Sequence, residues 1–366
     1  MNSKMIAIIA AVAVVAIAVA AFIVLSDDSD ENDLPTDGIV ITDSLGKEVT
    51  IGKAAEDVVI ISGNQAEFFQ ILGLEDKIVG ASQTVFNSQD VYKEGFFDNI
   101  QNVGKYNGTA IVENIVKTET KFVISPTSMG LKEATINELK NTYGITTIIL
   151  ECFGETMIHD AEQIVKMFAS ESAKDALDEY KSLYNEVKDK ALKAASKDKK
   201  DVSFLIQTPT MKGFYTDNSE QAKNAKLIAG HNSLSEWYDS GLDISGTFAT
   251  PSPESIAAQS QKVGIDYYIV RGSSSKTLDA AAVSAIETLG DYASSVKPIQ
   301  DGNMYVIHSD VASGCRDYIG FIIYAQIFGI NVDADPVKLA NEFNEKYGFR
   351  GDEYTSLLLN YQPATA

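Results

Sequence analysis

Short apolar runs and helix-like segments alternate along most of the chain. From Ile39, the stretch "IVITDSLGKEVTI" has two alternating runs around a glycine-containing turn, which predicts a β-hairpin. Four runs rich in branched residues follow, "DVVIIS", "KIVGAS", "KFVIS" and "TTIILE", separated by stretches such as "QAEFFQILG" and "LKEATINELKNTYG". Strands that alternate with helices predict a parallel sheet covered on both faces.

The middle of the chain has a different pattern. Residues 159–200 contain no glycine or proline, and apolar residues recur there at three- and four-residue steps. We expect one long helix over 157–200, with a break near "SESAKD" as the alternative because Ser172 interrupts the apolar stripe. Strand-like runs then resume with "DVSFLIQTP", "KGFYT", "DYYIV" and "NMYVIHS". The predicted α/β architecture is therefore two lobes, 39–156 and 201–366, joined by a single helix.

The N-terminus predicts a membrane segment. Residues 5–25 are apolar and uncharged, and as a helix they would span about 30 Å. Lys4 precedes the segment and acidic residues follow it, so we expect the body of the protein on the extracytoplasmic face. Ala18 and Ala20 fit a signal-peptidase site, but the length favours a retained anchor over a cleaved signal. The acidic stretch 26–38 is predicted to be a disordered tether.

Composition excludes several classes of function. A formal net charge of -21 makes nucleic acid an improbable partner. Cys152 and Cys315 are the two cysteines of the chain, and neither a zinc motif nor a Cys/His cluster is present. The sequence is compatible with a disulfide between them, with two buried thiols and with thiols that line a cleft. Ser273 and Lys276 have the spacing of a Ser/Lys nucleophile pair, but the motifs that would complete it are absent, so we expect no enzyme and no metal site.

A short motif occurs twice, as "VENIV" from Val112 and "PESIA" from Pro253. In each case a glutamate, Glu113 or Glu254, opens a predicted helix that leads into a strand. A glutamate there can simply stabilise the helix dipole. The duplication also fits two equivalent contacts with a pseudo-symmetric partner.

Five segments together resemble the substrate-binding proteins of ABC importers for ferric siderophores, haem and cobalamin. They are the hairpin, "VVIISGNQAEFFQILGLEDKIVGAS", "VENIVKTETKFVIS", "PESIAAQSQKVGIDYYIV" and "VIHSDVASGCRDYIGFIIYAQIFG", on either side of the long helical region. The resemblance implies two Rossmann-like lobes joined by a rigid helix, a ligand held between them, and modest closure. It also implies that Glu113 and Glu254 dock on arginine pockets of the permease.

Candidate ligand residues come from the loops that follow the predicted strands, where open α/β sheets bind ligands. Aromatic candidates could equally belong to the core, and Arg316 could instead pair with Asp310 or Asp317. Arginine is favoured because its planar fork recognises carboxylate and phosphate. The predicted ligand-binding residues are Asn64, Gln83, Phe86, Lys105, Tyr106, Thr127, Phe214, Tyr215, Phe248, Arg271, Ser309 and Arg316, with Trp237 as a further aromatic candidate.

The sequence thus predicts a monomeric, membrane-anchored, extracytoplasmic substrate-binding protein of an ABC importer. Its partners would be a permease dimer with its ATPase, and its transported ligand an iron-siderophore, haem or corrinoid, without any cofactor. A membrane-tethered sensor or scaffold that meets no permease is the alternative.

Overall fold

The computed structural model describes residues 38–198, 200–210, 213–237, 241–273, 277–351 and 353–362. The predicted anchor at residues 1–25 and the tether up to residue 37 lie outside this set. Within it, no helix is long and apolar enough to cross a membrane. Residues 39–366 cluster as one compact unit.

The N-terminal lobe is built on a parallel sheet. A hairpin of β1 (Ile39–Thr42) and β2 (Glu48–Ile51) precedes it. The sheet strands are β3 (Val58–Ile60), β4 (Ile78–Ser82), β5 (Gln101–Gly104), β6 (Phe122–Ser125) and β7 (Thr146–Ile149), in the order β5-β4-β3-β6-β7. The helices are α1 (Gly63–Ile71), α2 (Gln83–Phe86), α3 (Ile111–Val116) and α4 (Glu133–Tyr143). Every residue of β3 is buried, as expected for a central strand covered on both faces.

The predicted single helix over 157–200 is wrong, and the alternative break is confirmed. The region forms α5 (Met157–Phe168) and α6 (Glu171–Asp198). Ala169 has a left-handed backbone (φ 48°) that ends α5, and Ser170 Oγ accepts a hydrogen bond from Ala173 N at 3.2 Å. Ser170 therefore caps a new helix instead of continuing the old one.

The C-terminal lobe has a mixed sheet. Its strands are β8 (Ser203–Gln207), β9 (Phe214–Tyr215), β10 (His231–Asn232), β11 (Phe248–Ala249), β12 (Tyr267–Arg271), β13 (Met304–Ile307) and β14 (Leu358–Tyr361). They run in the order β11-β9-β8-β12-β13-β14, with β10 also paired to β8. The helices are α7 (Glu220–Ile228), α8 (Pro253–Gln259), α9 (Leu278–Leu289), α10 (Lys297–Gln300), α11 (Asp317–Ile327) and α12 (Pro336–Tyr347). Strands β8, β12 and β13 are parallel to one another. Strand β9 is antiparallel to both β8 and β11, and β14 is antiparallel to β13.

Among the described residues, three of the contacts that join the lobes involve helix α6, the C-terminal segment and Arg316. Helix α6 packs on α11 of the C-terminal lobe, and its Tyr180 also meets Phe68 of α1 edge to face at 5.5 Å. Residues 347–350, here called the tail tie, return to the N-terminal lobe: Arg350 N donates to Val91 O at 2.8 Å. Gln70 Nε2 of α1 donates to the carbonyl of Tyr347 at 3.0 Å. The third contact is the cluster around Arg316, described below.

Candidate functional site

A cavity of about 510 Å³ lies between the lobes, at the carboxyl ends of the strands. The N-terminal lobe contributes Ile61, Ser62, Gly63 and Asn64 after β3, Thr84 after β4, Pro126, Ser128 and Met129 after β6, and Glu151 and Phe153 after β7. The C-terminal lobe contributes Tyr215, Asn218, Ser219, Glu220, Gln221, Thr247, Arg271 and Ser313. The volume is within the usual range of small-molecule sites, roughly 300–1,000 Å³.

Two helix N-termini are aimed at this cavity. Ser62 caps α1 in a reciprocal capping box with Gln65, and Ser219 Oγ caps α7 by accepting from Ala222 N at 3.2 Å. The free backbone N–H groups and the dipole at such a terminus favour negatively charged groups. The walls of the cavity are therefore rich in hydrogen-bond donors.

Arg271 places a guanidinium group in the same cavity. It ends β12, and its Nη1 donates to Tyr215 Oη while its Nη2 donates to Ser313 Oγ, both at 3.1 Å. Its Nε is buried and has no hydrogen-bond partner among the described residues. Since Tyr215 and Ser313 are neutral, they fix the orientation of the guanidinium group without cancelling its charge.

A pair of buried carboxyl groups lies beside Arg271. Glu220 is the first residue of α7 and Asp317 the first of α11, and the two residues are 9% and 3% exposed. Burial raises the pKa of Glu220, and the neighbouring charge of Asp317 raises it further. Burial also raises the pKa of Asp317, against the opposing hydrogen bonds of Glu220 and Asn224.

A second cavity of about 320 Å³ adjoins the first, because Glu151, Phe153, Asn218 and Glu220 line both. Tyr184 and Lys188 of α6 form part of its wall. The carboxyl pair thus lies between the main cavity and the helix that connects the lobes.

Three of the predicted ligand residues line the main cavity: Asn64, Tyr215 and Arg271. The other polar candidates are used differently. Gln83 bonds to Asn87 and Asn102, and Ser309 donates to Asp310. Thr127 donates through its backbone and its hydroxyl to Glu151, and Lys105 is exposed. Thr127 therefore acts on the cavity through Glu151, which lines it.

The predicted aromatic wall is largely core. Phe214 packs edge to face on Tyr268, and Trp237 is buried in the same cluster. Phe86 packs on Phe97, with ring centroids 4.7 Å apart, and Tyr106 packs against the buried residues of the N-terminal lobe. Phe248 is 61% exposed and does not line the cavity, although its neighbour Thr247 does.

The prediction that Arg316 contacts ligand is not supported by its position. The residue is 5% exposed, and its guanidinium lies over the rings of Phe343 and Phe349 at 4.8 and 4.5 Å. Its Nη1 is 3.6 Å from Glu67 Oε1 of α1, so the pair joins the two lobes. The alternative prediction, an ion pair of Arg316 with Asp310 or Asp317, is not observed either, because its ion-pair partner is Glu67.

Ser62 and Ser313 lie in loops that follow predicted strands, "SGNQ" and "HSDVASGCR", where the sequence places the cleft. Ser219, Glu220 and Met129 were not predicted as cavity residues. Ser219 precedes a helix as a cap residue, which is a signal visible in the sequence, whereas Glu220 and Met129 carry no such signal.

The histidines and cysteines are spread through the structure. His159 Nε2 is 3.0 Å from Thr42 O, and His231 lies beside Asp201 and Glu236. Among the described residues no cluster of three metal-ligating side chains occurs. Cys152 and Cys315 are separate buried thiols, and Cys315 Sγ donates to Glu67 Oε2 at 3.0 Å.

Glu113 and Glu254 have equivalent positions in the two lobes. Glu113 is on α3, which leads into β6, and Glu254 is on α8, which leads into β12. Strands β6 and β12 each pair in parallel with the first sheet strand of their lobe, β3 and β8. Both glutamates are exposed, and a hydrogen bond from Lys117 lowers the pKa of Glu113.

The arrangement of two α/β lobes around this cavity is the fold of the TroA-like periplasmic binding proteins. The TroA-like periplasmic binding protein FepB of Veillonella parvula superposes with a TM-score of 0.65 at 17% identity, over 88% of this chain and 99% of that chain. A periplasmic heme-binding protein of Pseudomonas aeruginosa gives a TM-score of 0.56 at 15% identity, over 77% and 96%. The molybdate periplasmic binding protein MolA of Haemophilus influenzae gives 0.63 at 15% identity, over 86% and 99%.

A curated relative agrees with this result. An uncharacterised ABC transporter substrate-binding lipoprotein of Bacillus subtilis, YvrC, is 27% identical over 199 residues, or 53% of this chain. The match spans 59% of that protein's length. No protein-family model matches the chain. The resemblance predicted from the sequence is confirmed at the level of the fold, and the proteins named above are binding proteins.

Proposed function

We propose that the chain is the extracytoplasmic substrate-binding protein of an ABC importer, and that it binds an anionic iron chelate or haem between its lobes. The observation that carries the proposal is the interlobe cavity, into which Arg271 and the N-termini of α1 and α7 direct hydrogen-bond donors. Solved structures with this fold include a periplasmic heme-binding protein and a protein of an ABC-type Fe3+-hydroxamate transport system.

A corrinoid is the weaker candidate among the ligands that the sequence suggested. The guanidinium of Arg271 and the two helix N-termini favour a ligand that carries carboxylate or other oxyanion groups. Met129, a lining residue that is 68% exposed, offers apolar surface in the same cavity. A ligand with an anionic group and an apolar periphery would match both the hydrogen-bond donors and this apolar surface.

Purification of the full-length protein tests the ligand proposal. Absorbance and mass spectrometry of the purified protein should reveal a bound iron chelate or haem, and titration calorimetry should show its rebinding after removal. A protein that binds neither haem nor any of a panel of ferric hydroxamates, catecholates and citrate would contradict the proposal.

We further propose that Glu113 and Glu254 dock on the permease. Their exposure and their equivalent positions in the two lobes support it, since a pseudo-symmetric partner requires one anion from each lobe. Glu113→Ala with Glu254→Ala should abolish import and leave ligand affinity within about twofold, because the two glutamates are outside the cavity lining.

Exposed acidic residues elsewhere provide matched controls. Glu133 and Asp279 also lie in the first turns of helices, α4 and α9, so Glu133→Ala with Asp279→Ala removes the same charge. This control should transport normally. Normal import by the Glu113/Glu254 double variant would contradict docking through these glutamates, whereas an absence of import by the wild-type protein would leave the sensor or scaffold function as the better account.

The apolar residues 5–25 are proposed to anchor the protein to the extracytoplasmic face of the cell membrane. The full-length protein should sediment with membranes, and a protein that begins at Ile39 should not. Equal release of both into the soluble fraction would contradict a retained anchor.

A further inference from the structure

The buried carboxyl pair of Glu220 and Asp317 is not used by the proposed function as stated so far. Asn224 Nδ2 donates to Asp317 Oδ2 at 3.2 Å. Asp317 Oδ1 and both carboxyl oxygens of Glu220 are buried and receive no hydrogen bond of good geometry from the described residues. The Tyr184 hydroxyl and the backbone N–H of Gly154 are close enough to lower the pKa of Asp317 and of Glu220, respectively, but burial outweighs both effects. A buried carboxyl oxygen without a good hydrogen bond lowers the stability of the fold. A proton held between the two carboxyl groups supplies such a hydrogen bond and removes much of the penalty.

Glu220 and Arg271 line the same cavity, and their charges interact. The guanidinium of Arg271 is held by two neutral hydroxyls and has a buried Nε without a partner among the described residues. An ionised Glu220 would supply a carboxylate from the protein itself. That carboxylate would compete for Arg271 with any anionic group of a ligand.

We propose that Glu220 and Asp317 share one proton, which keeps Glu220 neutral and so leaves Arg271 available to the anionic group of the ligand. Glu220 is then a specificity-determining residue of the cavity. The inference rests on the proposed function for the identity of the ligand, but not for the state of the carboxyl pair. Two carboxyl groups that are buried side by side cannot both ionise without a large penalty, and one of them keeps its proton.

The surroundings support a neutral Glu220. Burial and the charge of Asp317 both raise its pKa, while Arg271 lowers it. The N-terminus of α7 also favours a carboxylate, but this dipole effect is small beside the cost of burying a charge. The charged and titratable groups that face the pair from the packed elements are Arg271, Tyr180, Tyr184, Lys188, Cys315, Tyr318, Tyr324, Lys223, Glu151 and Glu155.

The sign of the pH dependence follows from these shifts. Below the raised pKa of Glu220 the residue is neutral, and Arg271 binds anions. As the pH rises through that pKa, Glu220 becomes a carboxylate and pairs with Arg271. Affinity for an anion should therefore fall with rising pH, beyond any effect of the titration of the anion itself.

Arginine side-chain NMR on the full-length protein in a non-ionic detergent can test this directly. The chain has three arginines, Arg271, Arg316 and Arg350, so three Nε–H signals are expected, and Arg271→Lys assigns one of them. The probe is oxalate, a simple dianion at every pH used. Its affinity is read from the Arg271 signal, from mildly acidic to mildly alkaline pH.

Three variants separate the proposal from a purely structural role. Glu220→Gln should lose the pH dependence of oxalate binding, and should bind oxalate more tightly than wild type at mildly alkaline pH, because no carboxylate can form there. Asp317→Asn should weaken binding by about tenfold or more at neutral pH, because an amide that donates to Glu220 favours its carboxylate. The double variant should behave like Glu220→Gln.

Several results would overturn the proposal. They are an Arg271 signal that is insensitive to pH in wild type, oxalate binding by Asp317→Asn equal to wild type, or no oxalate binding by wild type at acidic pH. If Asp317→Asn does not fold, wild type and Glu220→Gln compared across pH make the same distinction. Because oxalate is neither the transported ligand nor dependent on a permease, failure of import with this pH dependence intact would count against the proposed function alone.

Discussion

Replacing Arg316 with alanine should destabilise the protein without changing its affinity for the ligand. The guanidinium is buried between two phenylalanine rings and pairs with Glu67 across the lobes. Breaking a buried ion pair from one side costs about 3–5 kcal/mol, because the remaining charge stays buried and unpaired. Glu67 retains some solvent contact and the Cys315 thiol as a donor, so we expect the lower end, about 3 kcal/mol.

The chain offers its own probe and control for this measurement. Its single tryptophan, Trp237, is buried, so fluorescence during urea unfolding reports the transition. Arg350 is a half-exposed arginine whose Nη2 lies 3.8 Å from Glu94, and Arg350→Ala should cost less than about 0.5 kcal/mol. Ligand affinity should stay within about twofold in both variants, because neither arginine lines the cavity. A urea midpoint for Arg316→Ala equal to that of wild type would refute this account of the contact between the lobes.

Further outcomes are expected at other positions. Arg271→Ala should weaken binding of the co-purified ligand by about 1.5–3 kcal/mol in calorimetry, and Arg271→Lys should recover only part of this; unchanged affinity would reject anion recognition. Gly230→Ala should lower the free energy of unfolding by at least about 3 kcal/mol, because its backbone has φ 66° and a Cβ there would lie 1.6 Å from Val202 O. Gly144→Ala, at φ 67° with no heavy atom within 4 Å, should cost only about 1–2 kcal/mol in the same urea titration. A protein that begins at Ile39 should melt in one cooperative transition as a monomer; a broad transition would count against an independent fold.

The sequence pattern identified the strands that are buried on both faces. Runs such as "DVVIIS" and "DYYIV" are apolar throughout because parallel central strands have no solvent face. Short outer strands lack that signal: β10 and β11 have two residues each, and β14 is only partly buried. The helix break was harder to place, since nothing in the sequence shows that Ala169 adopts a left-handed backbone.

The site was only partly visible in the sequence. Arg271 was found because it ends an apolar strand run, and that position alone brings it to the sheet edge. Arg316 also follows a strand, but its position depends on Phe343, Phe349 and Glu67, which are distant in the chain. Glu220 looks like an ordinary first-turn glutamate, and its burial arises only when α11 packs against α7.

The tail tie and helix α6 connect the lobes on separate paths, which limits how far the lobes can move apart. A biosensor based on a change in distance between two fluorophores, one on each lobe, would therefore give a small signal. A single environment-sensitive dye at the cavity would be the better design. Both native thiols are buried, so a cysteine introduced as Met129→Cys, at a lining residue that is 68% exposed, would be the group that reacts with the dye.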